Sequence, residues 1–440
     1  MNARRTTWRT ADLIEDGVLE IGDGYRAKNS ELSMEGLPFA RAGNIDDGFQ
    51  FDDCDRFPLK DIPRVGNKVS APGDVVFTSK GTVGRFAFVR DETPQFVYSP
   101  QLCFWRSTDK DRLDPRFLFC WIRGDEFWEQ ADAMKGQTDM ADYVSLRDQR
   151  RMQITLPELG EQRGVARLVG ALDDKIELNR RMNRTLEELA AALFRSWFVD
   201  FDPVVAKAAG RPPAHLRPDL AALFPATFQD SPLGPIPHCW RVRQVNEVVE
   251  FNPVRRLAKG ASAPYLDMQN MPTDSALPAN WVIRPHGSGM KFQNGDTLLA
   301  RITPCLENGK TAFVNALADG EVGWGSTEYI VMRPLPPLPL EYGYFLARSD
   351  DFRAHAIANM TGSSGRQRVP ASCFDNYLVV EPPKEIAVAF GNIAAPFMRM
   401  MKANTEQSRT LAALRDTLLP KLLSGELRVK HAEKELSSHA

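Results

Sequence analysis

Between residues 161 and 197 the apolar positions fall alternately three and four apart: Val165, Val169, Leu172 and Ile176, then Asn179 and Asn183, then Leu186, Ala190, Leu193 and Trp197. Side chains at that spacing share one narrow stripe of an α-helix, the seam of a coiled coil, and no proline interrupts the run. Such a helix is a rod of roughly 55 Å, about three times the length of an ordinary globular helix. Its seam cannot be buried without a second rod. The chain supplies one 225 residues further on, where Asn179 maps onto Asn404 and the rest of the seam onto Phe390, Ala394, Phe397, Met401, Ser408, Leu411, Arg415, Leu418 and Leu422. Arg184-Thr185-Leu186 returns as Arg409-Thr410-Leu411, with Pro396 and Pro420 marking breaks near the ends. Each helix carries an amide near mid-seam, where a buried polar group fixes register at some cost in stability. The pattern predicts a duplicated unit whose helices pair as an antiparallel coiled coil through Leu172, Ile176, Asn179, Leu186 and Leu193 on one and Phe397, Met401, Asn404, Leu411 and Leu418 on the other.

Upstream of each helix the pattern changes to short apolar runs of strand length. In the first copy strands are expected at 75–77, 86–89, 101–105 and 154–156, and a helix at 115–133 with Phe117, Leu118, Trp121, Ile122 and Phe127 on one face. Polar, glycine-containing loops occupy 78–85 and 135–140. The second half replays this order. Asn294-Gly295-Asp296 matches Pro72-Gly73-Asp74, Gly309 to Val314 matches Gly84 to Val89, and the loop at 361–368 takes the place of the one at Gly136. Between 202 and 240 eight prolines fall, so the segment reads as an extended connector. The expected fold is α+β: two similar mixed α/β modules, 1–157 and 240–382, separated by long helices at 158–200 and 383–426, with a connector at 201–239 and a polar tail at 427–440.

Composition narrows the function. With 440 residues, 43% hydrophobic and 25% charged, the chain is an ordinary globular protein of several domains. A net charge of −2 excludes a protein that simply coats nucleic acid, since that needs a strong positive field. The six cysteines form no CxxC pair and read as reduced thiols. The N-terminus lacks the apolar core of a secretory signal and no run of about 18 apolar residues exists, so a cytoplasmic protein with no membrane partner is expected. Phosphate-loop, dinucleotide, zinc-protease and nucleotide-methyltransferase motifs are missing, and the six histidines show no ligand spacing. Asp173-Asp174 lies on a charge-balanced helix and is expected on its solvated face. No catalytic residue and no metal site is expected.

Binding fits better. Each module has two loops bearing side chains that bond base edges: Lys80, Thr82, Arg85, Gln137 and Thr138 in the first, and Arg301, Thr303, Asn308, Lys310, Ser363, Arg366, Gln367 and Arg368 in the second. Arg and Lys pair with guanine edges and Gln and Asn with adenine edges, while glycine lets the backbone approach a phosphate. Ordinary hairpin turns have the same composition. A protein-interaction scaffold that never reads bases is therefore the alternative.

Four stretches resemble the specificity subunits of type I restriction-modification enzymes. They are Leu156-Pro157-Glu158-Leu159-Gly160-Glu161-Gln162 leading into the first helix, Leu193-Phe194-Arg195-Ser196-Trp197-Phe198-Val199-Asp200-Phe201-Asp202-Pro203-Val204 leaving it, Gly234-Pro235-Ile236-Pro237-His238-Cys239-Trp240 opening the second module, and 418–425 closing the second helix. Glu381-Pro382-Pro383-Lys384-Glu385-Ile386 departs from the pattern in lacking the Glu-Gln pair. The resemblance implies two target-recognition domains, each reading half of a bipartite site in double-stranded DNA. It also implies helices that set the spacing, at about 3.4 Å per base pair, and that dock two modification subunits. S-adenosylmethionine would bind those partners, and ATP with Mg would bind restriction subunits, leaving this chain without a cofactor.

Overall fold

Strand Thr6–Arg9 pairs antiparallel with Gln153–Leu156, so the first module begins and ends at one place, where the first long helix starts. The same closure recurs in the second copy, where Arg241–Gln244 pairs with Leu378–Glu381 just ahead of the second long helix. The computed structural model describes residues 5–45, 48–52, 54–79, 84–134, 144–363 and 365–431. These fall into two units, Met1–Glu177 with Thr410–Ala440, and Leu178–Arg409.

The first module is built on an antiparallel sheet in the order Leu19–Asp23, Leu102–Ser107, Val75–Thr78, Phe86–Phe88. The second repeats it as Val249–Phe251, Tyr329–Pro334, Thr297–Ala300, Thr311–Phe313. Central strands here read as unbroken apolar runs because both faces are covered. Val75 and Phe77 pack with the helices at 115–134, whereas Val76 packs with Phe96, Tyr98 and Phe104 on the opposite side. Leu299 and Leu298 divide between two clusters in the same way. Each module adds a second sheet, three-stranded in the first copy and four-stranded in the second, containing one parallel pair, Leu37–Ala40 beside Val97–Tyr98 and Ser262–Leu266 beside Gly323–Gly325.

The long helices run Leu159–Phe198 and Lys384–Ser424, 40 and 41 residues. In the second unit Asn183 meets Met401 and Thr405 while Asn179 meets Gln407 and Ser408. Numbers rise on one helix as they fall on the other, so the pair is antiparallel there. In the first unit Val165, Val169, Leu418 and Leu422 share one buried cluster. The polar layer follows from the duplication. Asn404 Nδ2 donates to Asn183 Oδ1 at 2.9 Å and Asn179 Nδ2 to Ser408 Oγ at 3.2 Å, and the 225-residue shift turns one contact into the other.

Four expectations change. The second helix continues through Pro396 and Pro420, where buried Ala394, Met398, Leu418 and Leu422 on either side hold it against the lost backbone bond and ring clash, about 3 kcal/mol for each proline. The helix expected at 115–133 is two, Pro115–Ile122 and Asp125–Met134. Gly124 lies between them, where a Cβ would sit 2.4 Å from Leu423. The proline-rich segment is folded rather than extended. It holds helices Asp202–Ala208 and Pro218–Ala221 and a short hairpin, and it buries Val204, Phe224 and Ile236 beside Trp240. Pro203 and Pro218 occupy first-turn positions, where a missing N–H costs nothing. Asp173, finally, is turned away from water onto arginines, whereas Asp174 stays on the solvated face, 41% exposed, and pairs with arginines there. Asp173 accepts from Arg123 (2.7 Å) and Arg415 (3.0 Å), and Asp174 from Arg116 (2.8 Å) and Arg90. Burial raises the Asp174 pKa, but Arg116 and Arg90 offset this and leave it below the ordinary value.

Candidate nucleic-acid interface

In both modules the Gly-Asp turn that opens the central hairpin is held by the same device. Gly73 and Gly295 have φ of +95° and +88°, the left-handed region that favours glycine. The carboxylate one residue later is fully buried and caps its own turn, with Ala71 N donating to Asp74 and Gln293 N to Asp296, each at 2.8 Å. Each carboxylate then takes an arginine from the neighbouring strand. Arg106 Nε and Nη2 donate to Asp74 at 2.6 and 2.8 Å, and Arg333 Nη1 to Asp296 at 2.5 Å. Tyr98 adds its hydroxyl to Asp74 at 2.6 Å; burial pushes that phenol well above its ordinary value, and the Asp74 charge pushes it further. The Gly-Asp match was visible in the sequence, whereas the distant arginines carried no local signal.

The hairpins so fixed present the loops expected to read bases. In the second module Thr303 N donates to Gln367 O at 3.0 Å and Val369 N to Arg301 O at 2.9 Å, so the two loops lie side by side on one edge. In the first, Val144 N donates to Ser79 O at 3.3 Å, the equivalent bond, although Lys80, Thr82, Gln137 and Thr138 lie outside the described residues. The strand before the helices is tied in identically, with Ser79 N on Gln101 O and Arg301 N on Glu328 O.

Within this edge the side chains divide. Ser363, Arg366 and Asn308 are exposed. Arg368 is half-exposed and forks onto Glu328, with Nε at 2.9 Å from both oxygens; that hydrogen bond and the Glu328 charge raise its pKa. Arg301 keeps a buried Nε with no partner among the described residues. Lys310 Nζ sits 2.6 Å from Met268 O, and Arg85 Nη1 3.2 Å from Ala42 O.

Further residues secure the modules to the helices. Gln162, buried, donates to Pro157 O and Arg112 O and accepts from Asp114 N, which gives the Glu161-Gln162 stretch its structural sense. Glu187 accepts from Tyr344 Oη and from Ala276 N; burial raises its pKa more than these donors lower it. Of the seam residues, Ile176, Asn179, Met401 and Leu418 are buried, and Leu172, Leu186, Leu193 and Phe397 pack partly buried against the cores. Leu411 is half-buried, and Asn404 bonds across the seam. Among the described residues no group of three or more His, Cys, Asp or Glu could hold a metal ion, and no helix is long and apolar enough to cross a membrane.

No family model matches the chain. It is 23% identical over 462 residues to the type I restriction enzyme HindI specificity subunit of Haemophilus influenzae, covering 92% of this chain and 98% of that protein. To the MjaIX specificity subunit of Methanocaldococcus jannaschii it is 20% identical over 380 residues, 84% of this chain and 81% of the relative. Its fold is similar to that of the S subunit of a type I restriction-modification system from M. genitalium, with a TM-score of 0.53 at 14% identity and 96% of each chain covered.

Proposed function

We infer that this chain, which belongs with the specificity subunits of type I restriction enzymes, is the non-catalytic component that supplies such an enzyme with its DNA sequence. Each module reads one half of a bipartite site in double-stranded DNA, the paired helices set the spacer, and the assembly includes two modification subunits and restriction subunits. The observation that carries this reading is the duplicated edge. One sheet, one buried Asp–Arg device and one loop-to-loop bond recur in both modules, while the side chains on the loops differ. A shared frame with unlike surfaces is what reading two unlike half-sites requires. A near-neutral chain can do this if its partners bring positive charge to the duplex.

In this reading S-adenosylmethionine binds the modification subunits and ATP with Mg the restriction subunits, so this chain needs no cofactor, and the complex works in the cytoplasm beside the chromosome. The chain co-purified with its modification subunits, presented with a library of random duplexes, is expected to select one asymmetric bipartite motif. Retention of DNA with no sequence preference would identify a scaffold instead.

A further inference from the structure

The two cations expected to touch DNA from the central hairpins occupy equivalent positions, since Gly84-Arg85 matches Gly309-Lys310. Neither is aimed outward. Arg85 Nη1 donates to Ala42 O at 3.2 Å, and Lys310 Nζ to Met268 O at 2.6 Å. The acceptors are equivalent as well. Ala40 pairs with Tyr98 and Leu266 with Gly325 in the two parallel ladders, and each acceptor lies two residues beyond that strand end. Two copies that have diverged in most loop residues thus keep one contact, a cation just ahead of a hairpin strand clasping the loop after a parallel strand.

In the second module that loop is fastened further. Arg348 Nη1 donates to Thr273 O at 2.6 Å and to Gly309 O at 3.0 Å, and Thr311 N to Pro272 O at 3.1 Å. Asn270 is exposed, but its amide Nδ2 donates to the Asp267 carboxylate at 3.0 Å. The adjacent Gln269 is exposed. Its equivalent in the first module is Gly43, which has no positive φ and where a Cβ would meet nothing within 4 Å.

We propose that Arg85 and Lys310 are positioning residues rather than DNA contacts, and that the loops they clasp form a third reading segment of each module, with Gln269 reading a base edge. This rests on the specificity-subunit function. A glutamine amide offers a donor and an acceptor side by side, which complements an adenine edge in the major groove. Gly43 leaves the corresponding place in the first module without a reader, one source of the difference between half-sites.

The test uses the full chain with its modification subunits and duplexes carrying single base changes in the selected motif. Gln269→Ala is expected to lower discrimination about 10- to 100-fold at one base position of one half-site and nowhere else. Lys310→Met should lower it at that same position while leaving the slope of log affinity against log salt unchanged, and Lys310→Arg should restore it. Gly43→Gln should add a preference in the other half-site. Uniform weakening of all sequences by Lys310→Met, with the salt slope reduced by about one, would make the lysine a phosphate contact and overturn the proposal. Unchanged discrimination in Gln269→Ala, or in Gly43→Gln, would overturn it too, and these exposed changes decide the matter even if Lys310→Met fails to fold. Absence of any sequence preference in the unaltered complex would instead refute the specificity-subunit function itself.

Discussion

Asp74→Ala probes the device on which the first reading edge stands. The carboxylate is fully buried and accepts from Arg106 twice, from Tyr98 Oη and from Ala71 N, all within 2.8 Å. Removing one member of a buried ion pair strands the other, at about 3–5 kcal/mol. Arg106 is 20% exposed and lies 3.3 Å from Glu20, which argues for the low end of that range. The orphaned Tyr98 hydroxyl adds about 1–2 kcal/mol. A loss of about 4 kcal/mol follows, and at roughly 2–4 °C per kcal/mol for a domain of this size, a fall in melting temperature of about 8–16 °C. Calorimetry on the purified chain measures it, with Arg106→Leu and the double variant completing a cycle. The two changes should be strongly non-additive, since Arg106→Leu leaves no stranded cation once Asp74 is gone. A loss under about 1 kcal/mol, or simple additivity, would refute the assignment of Asp74 as the anchor of the hairpin.

Three further outcomes follow from the geometry. Because burial raises the Glu187 pKa, its ionisation opposes folding: the contribution is fully favourable below the ordinary value of 4.5 and is lost as pH rises through the raised one. Melting curves should therefore show wild type losing stability relative to Glu187→Gln as pH climbs above 4.5, and a constant difference would contradict this. Burial pushes the Cys120 thiol up to about 12, whereas Cys239 is exposed, so a thiol reagent should label Cys239 first and reach Cys120 only on unfolding. Arg366→Ala should cost about 1–3 kcal/mol at one half-site only, read by competition binding; equal weakening on every sequence would make it a phosphate contact.

What could be read without coordinates was what repeats. The helix seam announces itself because a period of three and four persists for ten positions, and the module boundaries because Gly-Asp, Gly-Lys/Arg and the polar loops return in order. What stayed hidden depends on partners distant in the chain. Asp173 looks like one more helix charge until Arg123 and Arg415 converge on it. Phe224 and Ile236 look like residues stranded between prolines until Trp197 and Trp240 enclose them. Lys310 reads as a free cation in a polar loop, and only the fold places the Met268 carbonyl at its end. Local composition names the loops, but which side chains remain available is settled by tertiary contacts.

The central claim is that two unlike readers on one polypeptide define one split DNA site. Long-read mapping of methylated bases in cells that carry the modification subunits, with and without this gene, tests it most directly. The account predicts a single methylated motif made of two different halves around a fixed gap, present only with the gene. A continuous motif, or a methylation pattern indifferent to the gene, would contradict it.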